Sequence, residues 1–184
     1  GRMVKSSIEC RRGDLSKPLD VLATRRFDRA MALEVAEHLH SSSASSFVAS
    51  LANLSDVVLF GAAYTLQGGT NHINEQPHTY WADHFLSHGY VPFDLFRPVL
   101  WGSPEVDFWY QQNTFLYVRE KSGAFGHLAA KGLSPISNPA FMNCVHPVLY
   151  NIHSDERTIV RRFIKSLIPK TLMPAAKKVR RYFR

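Results

Sequence analysis

The feature that most constrains the fold is an uninterrupted apolar run, VVLFGAA, at residues 57–63. The run is rich in β-branched residues, carries no charge and follows directly after Asp56. These properties are typical of a strand that is buried on both faces of its sheet. The run therefore predicts a sheet whose faces are covered by other elements.

Strand-like and helical patterns alternate on either side of this run. Further strand patterns lie at residues 4–10, 27–33, 90–96 and 113–119, and helical patterns lie at 34–54 and 78–88. The Ser-rich stretch 41–46 is expected to break and recap the first helix. This order predicts an α/β sheet with parallel members, and the short link before 113–119 allows an antiparallel final pair.

A long polar loop, YTLQGGTNHINEQP at residues 64–77, follows the central strand. Loops of this length inside a compact domain are usually functional. Glu34 follows the strand at 27–33 in the same way. Because ligands of open α/β sheets bind outside the carboxyl ends of the strands, the chemistry is expected at Glu34 and in this loop.

Charge is divided unevenly along the 184 residues. Residues 157–184 contain ten Lys or Arg and no acid, which leaves 12 basic and 15 acidic residues in 1–156, a net charge of −3. A nucleic-acid-binding body is therefore disfavoured, and any anionic partner is expected to meet the tail. The length suggests a single domain, and no apolar run is long enough for a membrane-spanning helix. Two cysteines and the lack of a secretory pattern predict a cytoplasmic setting.

Several segments together resemble the class I S-adenosylmethionine-dependent methyltransferases. FDRAMALEVAEHL at 27–39 is similar to the fourth strand and following helix of that family, and SDVVLFGAA at 55–63 to its fifth strand. The segment 68–90 resembles the stretch through the next helix, and WYQQNTFLYV at 109–118 resembles the closing strand. Asp14 and Leu15 resemble the loop after the third strand. The resemblance spans about residues 8–120.

The resemblance implies a partial Rossmann-like sheet with flanking helices. The family strand order is 3-2-1-4-5-7-6, but its glycine-rich first motif is absent here, and Gly68–Gly69 does not replace it. The chain thus resembles the second half of the fold, from about its third strand, with residues 1–120 as a partial methyltransferase domain, 121–156 as a connecting extension and 157–184 as a basic amphipathic helical tail. The strand at 27–33 would then be an exposed edge that favours self-association.

The implied reaction is methyl transfer from S-adenosylmethionine to an unidentified small-molecule or saccharide acceptor. Because the first motif is absent, the isolated chain is expected to be a truncated or degenerate enzyme that binds this cofactor very weakly. One alternative is a non-catalytic, methyltransferase-like interaction module. Another is a peripheral protein that meets an anionic membrane surface through residues 157–184.

Five residues are expected to line the cofactor if the resemblance holds. Asp14 would accept a hydrogen bond from the adenine amino group, and the other four are Leu15, Leu33, Glu34 and Val35. A turn after Gly13 explains Asp14 equally well.

Four residues form a candidate metal site. Glu34, Glu37 and His38 lie at i, i+3 and i+4, so one helical face can present all three. In small-RNA 2′-O-methyltransferases and ubiquinone-pathway O-methyltransferases a Glu-x-x-Glu-His pattern binds a divalent metal, and His72 would be the later histidine that completes the site in the RNA enzymes. The ligands suit Mg²⁺, Mn²⁺ or Zn²⁺. The carboxylates could instead only stabilise a helix N-terminus.

His72 has two further interpretations. Its imidazole could act as a general base, or it could be one of several loop residues whose polar groups satisfy each other. Because the position of the loop is expected to depend on the cofactor, we do not expect these four residues to form a complete metal site in this chain.

Two other segments carry open interpretations. An aromatic cluster is expected to be core, with an acceptor pocket as the alternative: Trp101, Phe108, Trp109 and Tyr110. In the tail, Pro169 and Pro174 predict a helix that ends near Leu167 and a second short helix after Pro174.

Overall fold

The computed structural model describes residues 9–17, 25–155, 159–160 and 163. The chain divides into two compact units, residues 1–144 and 145–184. The predicted strand at 4–10 and most of the basic tail lie outside the described residues. Within the described residues, no helix combines the length and the apolar character needed to cross a bilayer.

The first unit contains one mixed sheet of four strands in the order β1-β2-β4-β3. The strands are β1 (Ala30–Leu33), β2 (Val57–Gly61), β3 (Tyr90–Phe93) and β4 (Phe115–Arg119). β1 pairs with β2 in parallel, and β4 runs antiparallel to both β2 and β3. The prediction that these four segments share one sheet with an antiparallel final pair is confirmed.

Six α-helices and three 3₁₀ turns accompany the described strands. The helices of the first unit are α1 (Ala44–Leu54), α2 (His78–Leu86), α3 (Arg97–Leu100), α4 (Phe108–Asn113) and α5 (Gly123–Ala130). The second unit contains α6 (Pro147–Ser154). The 3₁₀ turns span Ala36–His38, Ser41–Ser43 and Pro139–Asn143. The result is a mixed α/β fold.

The core of the first unit is aromatic. Phe60 of β2 packs against Phe85 and Trp81 of α2, and Phe85 stacks on Tyr117 of β4 with ring centroids 3.9 Å apart. All four side chains are almost fully buried. Burial of this size anchors α2 to the sheet, with each large side chain contributing about 1.5–3 kcal/mol. The core thereby fixes both ends of the 64–77 loop, which joins β2 to α2.

One expectation about local structure is wrong. The segment after β1 does not continue as a helix that places Glu34, Glu37 and His38 on one face. Glu34 has a positive φ of 52°, which no α-helix accepts, and only a three-residue 3₁₀ turn follows at Ala36–His38. The helix proper begins at Ala44, within the Ser-rich stretch 41–46, where a break and a new helix start were expected.

Candidate metal centre

The site lies where β1 ends. The backbone N–H of Glu34 donates to the carbonyl of Gly61 (2.9 Å), so the parallel pairing of β1 with β2 extends to this residue. The left-handed conformation of Glu34 then turns the chain sharply into the 3₁₀ turn. This turn, rather than an α-helix, presents the side chains of Glu37 and His38.

The 64–77 loop is fastened to the same turn. The carbonyl of Glu37 accepts hydrogen bonds from the backbone N–H groups of Ile73 (2.9 Å) and Asn74 (3.0 Å). Near its end, the loop donates from the Gln76 N–H to the carbonyl of Ala63 (3.3 Å). These bonds fix the position of the loop without any cofactor, and they place His72 close to Glu37.

Three of the four residues of the predicted metal site therefore converge, and the fourth, Glu34, does not join them. One ligand atom from each of Glu37, His38 and His72 lies within 4.8 Å of the others. Oε1 of Glu37 is 3.9 Å from Nε2 of His72 and 4.0 Å from Nε2 of His38. The two imidazoles meet edge to face, with centroids 4.9 Å apart.

Among the described residues, the Glu37 carboxylate receives no hydrogen bond. Its side chain is fully buried, and neither oxygen has a hydrogen-bond partner among the described residues. Taking a carboxylate out of water costs several kcal/mol unless it is paired or coordinates a metal. The arrangement is therefore one that a cation would complete.

Both imidazoles are oriented by their other ring nitrogen. Nδ1 of His72 lies 3.0 Å from Oε1 of Glu75, and Nδ1 of His38 lies 3.3 Å from the carbonyl oxygen of Asn71. Carboxylate and carbonyl oxygens can only accept, so these contacts favour a proton on each Nδ1. In the neutral rings Nε2 then carries the lone pair, and these two atoms are the ones that lie 3.9 and 4.0 Å from Oε1 of Glu37.

Glu34 lies in a different environment from Glu37. Its two carboxylate oxygens accept hydrogen bonds from the amides of Asn113 (3.0 Å) and Gln67 (2.9 Å). Burial raises the pKa of Glu34, the Asn113 bond lowers it, and the nearby charge of Glu37 raises it further. Glu34 is not part of the three-residue cluster, because its oxygens are directed to the two amides.

The remaining predicted cofactor residues have local roles in this structure. The Asp14 carboxylate accepts from the N–H (3.0 Å) and the hydroxyl (2.6 Å) of Ser16, and these bonds lower its pKa. Leu15 and Val35 are partly buried and pack against the core cluster, and Leu33 is half-buried. Asp14 thus forms the turn that was its alternative interpretation.

Asn113 is a residue beside the candidate site that the sequence does not single out. Its amide group donates to Glu34 and to Gln67, and its carbonyl oxygen lies 3.1 Å from Nε2 of the buried His78. Asn113 was assigned to the start of the last strand, with no role in the site. Because β4 is antiparallel to β2, its amino end lies at the same edge as the carboxyl end of β2. A polar residue just before an antiparallel strand was the signal that could have identified it.

The predicted aromatic core cluster at 101–110 is not part of the core. None of its four members belongs to the buried cluster, and Trp101 and Tyr110 are each more than one-third exposed. Trp101 instead borders an open pocket of about 360 Å³, lined by Asp94, Arg97, Pro98, Trp101, Phe141 and Cys144. The pocket is apolar apart from the Asp94–Arg97 ion pair and the Cys144 thiol.

Comparisons with protein-family models, with curated proteins and with solved structures find no match to this chain.

Proposed function

We propose that the chain binds a divalent transition-metal ion through Glu37, His38 and His72, within the second half of a class I methyltransferase fold. The observation that carries the proposal is the fully buried Glu37 carboxylate, which has no hydrogen-bond partner in the part of the chain that the structure describes and faces two imidazole Nε2 atoms. A divalent cation would neutralise this carboxylate and use both lone pairs.

The donor set favours particular metals. Two imidazoles and one carboxylate suit Zn²⁺, Mn²⁺, Fe²⁺ or Co²⁺ better than Mg²⁺ or Ca²⁺, which prefer all-oxygen sites. When bound, such an ion polarises an oxygen of the methyl acceptor and lowers the pKa of a hydroxyl group. The His38 side chain is 43% exposed whereas that of His72 is 13% exposed. An acceptor would therefore approach from the His38 side.

The strand order supports the methyltransferase part of the proposal. The sheet order β1-β2-β4-β3 corresponds to the last four positions, 4-5-7-6, of the class I order. The candidate metal centre lies at the carboxyl ends of β1 and β2, where open α/β sheets bind their ligands. The reaction proposed for the complete fold is methyl transfer from S-adenosylmethionine to a small molecule or saccharide, in which the protein acts mainly by orienting the reactants.

The cofactor residues fit this proposal only in part. Leu33 ends β1, and Glu34 and Val35 follow it at the expected edge, but the carboxylate of Asp14 is bonded within its own turn and is not free for adenine. The chain is therefore proposed to contribute one wall of the cofactor site and to bind the cofactor weakly. A non-catalytic interaction module remains the competing function, and it requires no cofactor contact at all.

Metal binding is tested by titrating the metal-free full chain with Zn²⁺ and Mn²⁺ in a calorimeter. We expect one site, and we expect Glu37→Ala to lower the affinity at least about 100-fold, because it removes the only carboxylate of the cluster. Glu105→Ala is the matched control, since Glu105 is exposed and lies outside the cluster. Equal affinities in the two variants would contradict the proposal.

Cofactor contact is tested by NMR, which detects binding too weak for calorimetry. Titrating the ¹⁵N-labelled chain with millimolar S-adenosylhomocysteine should shift the amide signals of residues 33–35. Shifts of those signals support the methyltransferase proposal. Unchanged signals at residues 33–35 would favour the interaction module.

The tail supports a second candidate function, attachment to an anionic membrane surface. Its ten basic residues are interleaved with Ile, Leu, Phe and Val, and residues 157–184 contain no acidic residue. Each basic residue near an anionic bilayer contributes about 1 kcal/mol. In the full chain, replacing four of these residues by Gln should therefore weaken the free energy of binding to phosphatidylserine vesicles by roughly 4 kcal/mol, as measured by sedimentation. The four are Lys177, Lys178, Arg180 and Arg181. Unchanged sedimentation, or none in the wild type at low salt, would contradict membrane attachment.

A further inference from the structure

The two adjacent glycines of the 64–77 loop serve different purposes. Gly68 has a φ of +74°, and a Cβ there would meet nothing within 4 Å, so its backbone conformation requires glycine. Gly69 has no such φ. A Cβ at Gly69 would lie 2.3 Å from Cε1 and from Nε2 of His72, which is far inside contact distance. Gly69 is therefore a glycine because the imidazole of His72 packs on its Cα.

The same imidazole is also held by Glu75. Oε1 of Glu75 accepts a hydrogen bond from the Gly68 backbone N–H (2.7 Å) and lies at hydrogen-bond distance, 3.0 Å, from Nδ1 of His72. The hydrogen bond from the Gly68 backbone therefore helps to hold the Glu75 carboxylate in its position beside the His72 ring. Since a carboxylate oxygen accepts only, the contact requires the proton on Nδ1, which leaves the lone pair of the neutral ring on Nε2.

From these contacts we infer that Glu75 and Gly69 are positioning residues for His72. Glu75 sets the ring tautomer, and Gly69 provides the space that lets Nε2 face Glu37. The inference about the tautomer concerns the metal-free chain; only its consequence for affinity rests on the proposed metal function. Carboxylates that orient a metal-binding histidine in this way commonly change metal affinity 10- to 100-fold when they are removed.

The test uses two variants of Glu75 in the full chain. Glu75→Gln keeps an oxygen that can accept from Nδ1, and Glu75→Leu does not. Long-range ¹H–¹⁵N spectra of the metal-free, ¹⁵N-labelled protein at neutral pH report which ring nitrogen carries the proton, with the His72 signals assigned from His72→Gln. We expect the Nδ1–H form in the wild type and in Glu75→Gln, and its loss in Glu75→Leu.

Metal affinity provides the second measurement. Zn²⁺ binding should weaken about 10- to 100-fold in Glu75→Leu and in Gly69→Ala, and much less in Glu75→Gln. Gly126→Ala is the control, because a Cβ at Gly126 meets nothing and its φ is not positive. In a His72→Ala background Gly69→Ala should have no further effect, since the ring that it displaces is gone.

The outcomes separate this inference from the proposed function. An Nε2–H tautomer in the wild type, or a tautomer that Glu75→Leu leaves unchanged, would overturn the role of Glu75. Additive losses from Gly69→Ala and His72→Ala would overturn the role of Gly69, and if Gly69→Ala does not fold, the Glu75 pair decides alone. If the tautomer changes as expected while no variant binds metal, the positioning stands and the metal proposal fails.

Discussion

The carboxyl end of β1 is followed by two carboxylates three residues apart, one half-buried (Glu34) and one fully buried (Glu37), and their surroundings are opposite. Around Glu34 lies an amide pocket, formed by Gln67 and Asn113, in which every carboxylate oxygen receives a hydrogen bond. Around Glu37 lies an imidazole pocket, formed by His38 and His72, in which no oxygen receives one. A carboxylate satisfied by donors is complete within the fold. A carboxylate that faces two lone pairs is incomplete until a cation binds.

The largest expected difference between the two pockets is in metal affinity. Glu37→Gln should weaken Zn²⁺ binding at least about 100-fold, because it removes the negative ligand. Glu34→Gln should change it less than about 3-fold, because the bonds to Gln67 and Asn113 keep Glu34 out of the cluster. Calorimetric titration of both variants measures the contrast. Similar losses in both would show that Glu34 is a ligand and that the two pockets are one site.

Substitutions of Glu34 and of Glu37 should change the stability of the metal-free chain in opposite directions. Glu34→Leu leaves the amide donors of Gln67 and Asn113 without their acceptor, which should lower the free energy of unfolding by about 2–4 kcal/mol. Glu37→Gln removes an unpaired buried charge and supplies an N–H donor for the imidazole lone pairs, so it should raise that free energy by about 1 kcal/mol. Urea unfolding in the presence of a chelator measures both. A stabilising Glu34→Leu would reverse the assignment of the two pockets.

The pH dependence of the free energy of unfolding should reflect His78, which contacts Asn113 of the amide pocket. His78 lies 3.1 Å from the Asn113 carbonyl oxygen, and burial lowers its pKa from 6.5 to about 4. The unfolded chain therefore binds more protons than the folded one between these values. The stability that neutral His78 provides is complete above pH 6.5 and is lost as the pH falls towards 4.

Between pH 7.5 and pH 5 this term should lower the free energy of unfolding by about 2 kcal/mol. The measurement is the difference in pH sensitivity between the wild type and His78→Gln, in which the titrating group is absent. Equal sensitivity in the two proteins would show that His78 does not contribute.

The sheet could be predicted from the sequence, because its strands are bounded apolar runs in which local composition and burial agree. The same holds for α2, whose aromatic residues face the core. The turn at Glu34 could not be predicted, because the pattern EVAEHL matches a helix. In the structure Glu34 is left-handed, and its N–H makes the hydrogen bond that extends the β1–β2 pairing. Local propensity was overridden here by a tertiary hydrogen bond.

The candidate site was only partly predictable. The family resemblance pointed to Glu37, His38 and His72 as ligands, because their side chains match the metal-binding pattern of some members of that family. Their convergence depends on two backbone bonds from Ile73 and Asn74 to the carbonyl of Glu37, which any residues could make. Asn113 was missed because its role follows from strand direction, not from its neighbours in sequence.

Those two bonds to the Glu37 carbonyl also bear on how fast and how tightly a cation would bind. A free loop of this length would lose about 1–2 kcal/mol of conformational entropy for each residue that binding fixes. Here the two backbone bonds already order the loop in the metal-free chain. The conformational entropy is therefore lost when the chain folds, and metal binding does not include this loss. Association should accordingly proceed in one kinetic phase that is linear in metal concentration, with no slower step for loop closure.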